Sequence, residues 1–294
     1  MPGSLRPRRS VLYMPGSNAR ALEKARGLKA DGLIFDLEDA VAPDAKSMAR
    51  DAVAAAVAQG GYGQRELILR VNGLSTSWGH DDLAAAARMD IDAVLLPKVE
   101  SADDIHEAQA VLSASRARAN LPIWCMMETP RGILHAEAIA FSSPCVAALV
   151  MGTSDLIKDL HAQHTSDRLP LVTSFGLCVL AARAAGLAVL DGVHLDLSDD
   201  EGFGEACRRA REFGFDGKTL IHPKTIEAAN AAFSPSATEI EWSRRVIAAH
   251  EAAVAAGKGV VVVDGKLIEH LHVENARRVL TLTSAIAQMG TALQ

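Results

Sequence analysis

The feature that most constrains this chain is an alternation. Short, nearly unbroken apolar runs are each followed by a longer segment with apolar residues at helical spacing, and this happens eight times. "SVLYMPG" precedes "NARALEKARGLKA", where Asn18 is placed to cap a helix. "GLIFDLEDA" precedes "DAKSMARDAVAAAVAQ", and "ELILRVNG" precedes "SWGHDDLAAAARM". "DAVLLPKVE" precedes "SADDIHEAQAVLSASRA", and "LPIWCMMETP" precedes "RGILHAEAIA". "CVAALVMGTSDL" reads as strand and turn, followed by a loop with one short helix and then the helix "SFGLCVLAARAAG". "LAVLDGVHLDL" precedes "DDEGFGEACRRAREFG", and "FDGKTLIHP" precedes "KTIEAANAAF". Strands that are apolar throughout, rather than alternately, are parallel strands covered on both faces. Eight such units predict an α/β fold, a TIM (β/α)8 barrel over residues 1–233. A doubly wound open sheet is the alternative, but no G-x-G-x-x-G comes after the first strand.

The chain beyond Phe233 exceeds the needs of a barrel. "SPSATEIEWSRRVIAAHEAAVAAGKG", "VVVDGKLIEH" and "VENARRVLTLTSAIAQM" predict a C-terminal helical extension over residues 234–294. Its apolar face must be buried, and the bottom of its own barrel is one place for it. Hydrophobic residues are 49% of the 294 and aromatics only 4%, which suits close helix–strand packing. The net charge of −6 argues against general nucleic-acid binding, though not against a local basic patch for a phosphorylated ligand. No run of about 18 apolar residues predicts a membrane span. The basic start "MPGSLRPRRS" lacks the apolar stretch of a signal peptide, so a cytoplasmic protein is expected. Cys125, Cys145, Cys178 and Cys207 are too widely spaced for a zinc site and read as reduced core thiols.

In a barrel, chemistry sits at the C-terminal strand ends. The polar groups there are Asp36, Glu38 and Asp39 after strand 2, Arg70 and Asn72 after strand 3, and Lys98 after strand 4. Glu128 ends strand 5, Asp155 comes after strand 6, Asp191 and Asp196 lie on or after strand 7, and His222 ends strand 8. Glu128 and Asp155 come from adjacent strands. Two hard oxygen ligands with room for water suit Mg2+; the bland alternative is that each caps the next helix. Arg70 ends an otherwise uncharged strand, either to grip a carboxylate or oxyanion through its planar fork or to pair with "DLED". Lys98 is a second cation with a structural alternative, and His222, beside a proline, reads as a structural hydrogen-bonding group.

"LYMPGSNARALEKA", "FDLEDAVAPDAK", "LRVNG", "LPKVE", "METPRG", "MGTSDL", "GFDGKTLIHPKTIEAANAAFSPS" and "DGKLIEHLHVENARRVL" occur in order along nearly the whole chain. Together they resemble the citrate lyase β-subunit-like family of CoA-thioester lyases, with its malyl-CoA and citramalyl-CoA lyase relatives, in the HpcH-HpaI aldolase superfamily. The resemblance implies a Mg2+-dependent TIM-barrel enzyme that cleaves or forms the C–C bond of a malyl-, citramalyl- or citryl-type 3-hydroxyacyl thioester, giving an oxoacid and an acyl-CoA. It implies Glu128 and Asp155 as metal ligands, and Arg70 on the oxoacid. Lys24 would lie near CoA phosphates, and Glu38 and Asp39 around the metal's water. It also implies a homo-oligomer, a trimer or a dimer of trimers, in which a C-terminal lid closes over a neighbouring subunit. The lid motif of the family ends in an aspartate that moves a proton at the thioester α-carbon, where this chain reads "DGKLIE" with Glu269 as the implied catalytic acid. The added methylene matters, because about 1 Å of misplacement can cost ~10²-fold in rate. A Mg2+-dependent thioester hydrolase on the same scaffold is therefore an alternative, as is a β subunit of a citrate lyase-type complex.

Overall fold

Eight parallel strands close on themselves in sequence order, the first against the second and so on to the eighth against the first. The computed structural model describes residues 6–257 and 260–291; residues 1–5 of the basic N-terminal stretch lie outside them. The elements of the barrel begin with β1 Ser10–Pro15, α1 Ala19–Ala25, β2 Gly32–Asp36, α2 Lys46–Gln59, β3 Glu66–Arg70 and α3 Gly79–Ala86. They continue with β4 Ala93–Leu96, α4 Ala102–Ala114, β5 Ile123–Met127, α5 Pro130–Leu134, α6 Ala136–Ala140 and β6 Val146–Met151. The last are α7 Thr153–Asp159, α8 Val172–Ala185, β7 Ala188–Asp191, α9 Asp200–Phe213, β8 Gly217–Leu220 and α10 Ile226–Phe233.

The period of two along each strand divides the core. Val11, Ile34, Ile68, Leu95, Trp124, Val150 and Leu190 fill the barrel interior. Their neighbours Leu12, Leu33, Leu69, Val94, Cys125, Leu149 and Val189 pack in the larger cluster that includes the helices. This two-sided burial is why the strands read as continuous apolar runs. Asn18 caps α1, its side chain accepting from Ala21 N at 3.0 Å.

Two local readings need correction. "RGILHAEAIA" is two short helices broken at His135, whose Nδ1 lies 2.8 Å from the Glu100 carbonyl. "TSDL" is the first turn of a helix, α7, rather than a turn after the strand.

Arg8–Phe233 forms one compact unit, and a second begins at Ser234. In the second, α11 (Ala237–Ala255) starts at a capping box in which Ser236 and Glu239 bond each other's amides. The antiparallel pair β9 (Val261–Val263) and β10 (Lys266–Ile268) turns through Asp264 and Gly265, both left-handed. α12 runs His270–Thr291, and Val246, Val263, Ile268, Val273 and Ala276 form this unit's own core. Among the described residues no helix is long and apolar enough to cross a membrane. All four cysteines are buried free thiols.

Candidate active site

The charged mouth of the barrel is assembled from in-register neighbours. Asp36 and Arg70 end β2 and β3 and stand side by side in the ladder. Their side chains meet in a two-point pair, Arg70 Nε to Asp36 Oδ1 at 2.7 Å and Nη2 to Oδ2 at 2.6 Å. The guanidinium also lies 4.8 Å over the Tyr13 ring. Its remaining nitrogen, Nη1, is 3.3 Å from Asp39 Oδ2 and 2.9 Å from Glu38 Oε2. The ion pair with "DLED" thus exists, and the same guanidinium still lines the cavity described below. The loop carrying Glu38 is fixed from beneath. Lys46 Nζ donates to the carbonyls of Leu37 and Glu38, and Asn72 Nδ2 donates to that of Leu37.

Glu128 ends β5 almost wholly buried, and it is not a helix cap: Thr129 caps α5, accepting from Gly132 N. Glu128 Oε1 accepts from the backbone N–H of Lys98 at 2.8 Å. The Lys98 ammonium is 2.9 Å from Glu38 Oε1 and 4.0 Å from Glu128 Oε1. Burial, together with the charges of Glu38 and Asp155 and against that of Lys98, pushes the Glu128 carboxyl up to about 7. Burial also raises Glu38, although Arg70 and Lys98 oppose it. Its Oε2 is buried and close to Arg70, yet outside hydrogen-bonding geometry. Burial would lower Lys98, but the hydrogen bond and charge of Glu38 outweigh it and raise its pKa. Asp155 sits in the first turn of α7, where Gly152 holds the N-cap position; its side chain pairs with Lys158 at 3.2 Å.

These groups share one cavity of about 420 Å³, lined on its charged side by Asp36, Asp39, Arg70, Glu128 and Asp155. Tyr13, Thr153, Ser154 and Thr219 add hydroxyls, and Val193, Leu195 and Ile221 an apolar rim. Lys98 adjoins the cavity through Glu38 and Glu128. Other strand-end groups are placed differently. Asp191 is fully buried, held by Arg168 and by its register neighbour Lys218. Asp196 bonds Ser198, and His222 Nδ1 accepts from Lys224 N, as its structural reading requires. Lys24 is exposed in the last turn of α1 and is not among the cavity's lining residues. Glu269 is exposed between β10 and α12, its N–H donating to His272 Nδ1.

Sequence reading misses Gly152. A Cβ there would come within 2.4 Å of both Cβ and Oε2 of Glu128. Its only signal is a glycine directly after an apolar strand and shortly before Asp155. Sequence reading also misses Tyr13, which looks like any strand residue, and Lys46, which looks like a helix start.

The donor set fits Mg2+. Glu128 and Asp155 supply hard oxygens, and neither cysteine nor histidine lines the cavity. Among the described residues no three His, Cys, Asp or Glu side chains form a closed metal cage. An ion here would complete its coordination with water or substrate, as Mg2+ does.

Residues 9–223 match the family described as HpcH/HpaI aldolase/citrate lyase. A (3S)-malyl-CoA thioesterase of Cereibacter sphaeroides (strain ATCC 17025) is 50% identical over 286 residues, covering 97% of this chain and 98% of the relative. The citrate lyase subunit beta of Escherichia coli K12 is 34% identical over 281 residues, covering 94% and 93%. Mycobacterium tuberculosis CitE, solved in complex with magnesium, acetoacetate and coenzyme A, superposes with a TM-score of 0.75 at 30% identity, covering 94% of this chain and 97% of that one. With the barrel, the carboxylate-lined mouth and these matches together, the chain belongs to the HpcH/HpaI aldolase/citrate lyase family.

Proposed function

We propose that this protein is a Mg2+-dependent hydrolase of a malyl-type CoA thioester, working in a site of the C–C lyase kind. The observation that carries the reading is the convergence of Glu128, Asp155 and Arg70 on one cavity. Hydrolysis is favoured over C–C cleavage by Glu269, which stands where the resemblance expects aspartate, and by the thioesterase relative that spans nearly the whole chain.

Glu128 and Asp155 would hold the ion, with Glu38 and Asp39 around its water. Bound Mg2+ would supply Lewis-acid polarisation and a fixed positive charge. Arg70, held in one orientation by Asp36 and Tyr13, would grip the hydroxyacid end of the substrate. Lys98 would add a second cation at that end, and Lys24 would meet CoA phosphates outside the cavity. Glu269 would take the proton of the attacking water. A C–O bond then forms at the thioester carbon, the C–S bond breaks, and Glu269 returns its proton to the sulfur, so that CoA leaves as its thiol. In this reading the chain is a homo-oligomer, a trimer or a dimer of trimers, and Glu269 comes from a neighbouring protomer.

The second reading is the lyase proper, supported by the 34% identity to citrate lyase subunit beta. Glu269 would then give its proton to the enolate carbon. Incubating malyl-CoA with enzyme and Mg2+ and identifying products separates the two. Free malate and CoA thiol are expected; an oxoacid with an acyl-CoA means the lyase. No turnover of malyl-, citramalyl- or citryl-CoA would favour a β subunit of a larger complex acting on a carrier-bound thioester.

A further inference from the structure

We propose that Lys98 is a positioning residue for Glu128 and that it orients this carboxylate through its backbone rather than its ammonium group. The inference rests on the metal-ligand role of Glu128. Lys98 has φ +49°, a left-handed conformation that is sterically disfavoured for any residue with a Cβ. A glycine would reach it freely, yet the chain places a lysine there, directly after Pro97. Local strain kept at a site calls for something the surroundings gain.

The gain is visible in the hydrogen bonds. The left-handed turn directs the Lys98 N–H at Glu128 Oε1, 2.8 Å away. The next residue is tied back to β5, Val99 N donating to the Met126 carbonyl at 3.3 Å. The amide is therefore held against the strand that carries its acceptor. On the other side, Gly152 lies against Cβ and Oε2 of Glu128, with no room for a side chain. Among the described residues Oε2 receives no hydrogen bond. Glu128 is thus fixed with one oxygen saturated by an amide and the other left for a cation. The ammonium is nearly half exposed, bonds Glu38, and stands 4.0 Å from Glu128, too far to orient it.

The test separates backbone from charge. Chelator-stripped wild type, Lys98→Gly, Lys98→Met, Lys98→Val and Glu128→Gln are titrated with Mg2+ by calorimetry, and the melting temperature of each metal-free protein is measured. Gly adopts positive φ freely, and methionine keeps the stem and loses only the charge. Valine is β-branched and resists positive φ. Mg2+ affinity within about threefold of wild type is expected for Lys98→Gly and Lys98→Met. For Lys98→Val a loss of about tenfold or more is expected, the usual scale for removing a group that orients a metal ligand. Wild-type affinity in Lys98→Val, or equal losses in all three variants, would overturn the proposal. If Lys98→Val does not fold, amide hydrogen exchange decides. The Lys98 N–H should exchange at least about tenfold faster in Glu128→Ala than in wild type, and equal rates would overturn the proposal. The Glu128→Gln control is independent of Lys98: undiminished Mg2+ binding there means that Glu128 is not the ligand, and the metal-site reading fails instead.

Discussion

The two ends of the barrel use the same residue types in opposite ways. At the strand starts, Arg8 bonds both oxygens of Glu66, at 2.6 and 2.8 Å. Arg9 bonds both oxygens of Asp31, and its own backbone N–H adds a third bond. At the strand ends Asp36 is fully matched by Arg70 and two backbone amides, but Glu38 and Glu128 are less completely matched. Glu38 Oε2 is buried without a hydrogen bond, Glu128 has one amide on one oxygen, and its carboxyl is pushed up to about 7. Lys98 is held in a left-handed conformation there. A charge paired on both oxygens by one partner serves the fold; a buried charge left partly unmatched is kept for a ligand.

Removing one carboxylate from each end should give the largest effects. Glu128→Ala should lower kcat/KM with Mg2+ by about 10³-fold or more, since preorganised charge at the reacting centre usually contributes most to rate acceleration. The metal-free protein should melt no lower than wild type, because the lost carboxylate was poorly matched. Undiminished turnover, or wild-type turnover in chelator, would remove Glu128 from the site. Asp31→Ala should do the reverse. It removes the carboxylate that takes three bonds from Arg9, and breaking a buried pair costs about 3 kcal/mol or more. The melting temperature should fall by roughly 6–12 °C, with kcat/KM within about twofold of wild type at temperatures where the variant is folded. A large loss of kcat without loss of stability would mean that the strand starts also serve catalysis.

The same contrast explains what the sequence makes legible. The barrel is readable because each strand carries its own apolar run, and the mouth is readable because Asp36, Arg70, Glu128 and Asp155 each come at or just after the end of such a run. The unreadable features depend on neighbours distant in the chain. Asp191 reads as a site acid, but Arg168, from the loop before α8, and Lys218, from β8, consume it. Gly152 reads as punctuation, and only the packed Glu128 shows why a side chain is excluded. The positive φ of Lys98 has no mark at all, since the usual mark is glycine.

A smaller effect tests the mouth through its most constrained cation. Arg70→Lys keeps the charge but cannot reproduce the two-point bond to Asp36 or the stacking on Tyr13. A drop of at least about tenfold in kcat/KM is expected, roughly 1.4 kcal/mol of transition-state stabilisation. Near-wild-type kinetics would reduce Arg70 to a structural ion-pair partner, of the kind seen at the strand starts.

The last effect expected is a pH dependence peculiar to the mouth. In the metal-free fold the Glu128 carboxyl titrates at about 7, against an ordinary value of 4.5. Below 4.5 it is protonated both folded and unfolded, so it adds no pH dependence. Between 4.5 and 7 the native state holds a proton that the unfolded chain has released, so stability falls as pH rises. Above 7 both states are ionised and the loss is complete. The net loss is bounded by about 3 kcal/mol, the full interval between 4.5 and 7, and reads as a fall of up to roughly 6–12 °C in melting temperature. Mg2+ competes with that proton and stabilises the ionised form. Its addition should therefore raise the melting temperature more at pH 8 than at pH 5.5, where the cation must first displace the proton. Glu128→Gln should remove both the slope in chelator and the difference between the two Mg2+ responses. An equal Mg2+ gain at both pH values in the wild type would mean that proton and cation do not meet at Glu128, and the two ends of the barrel would then differ in geometry alone.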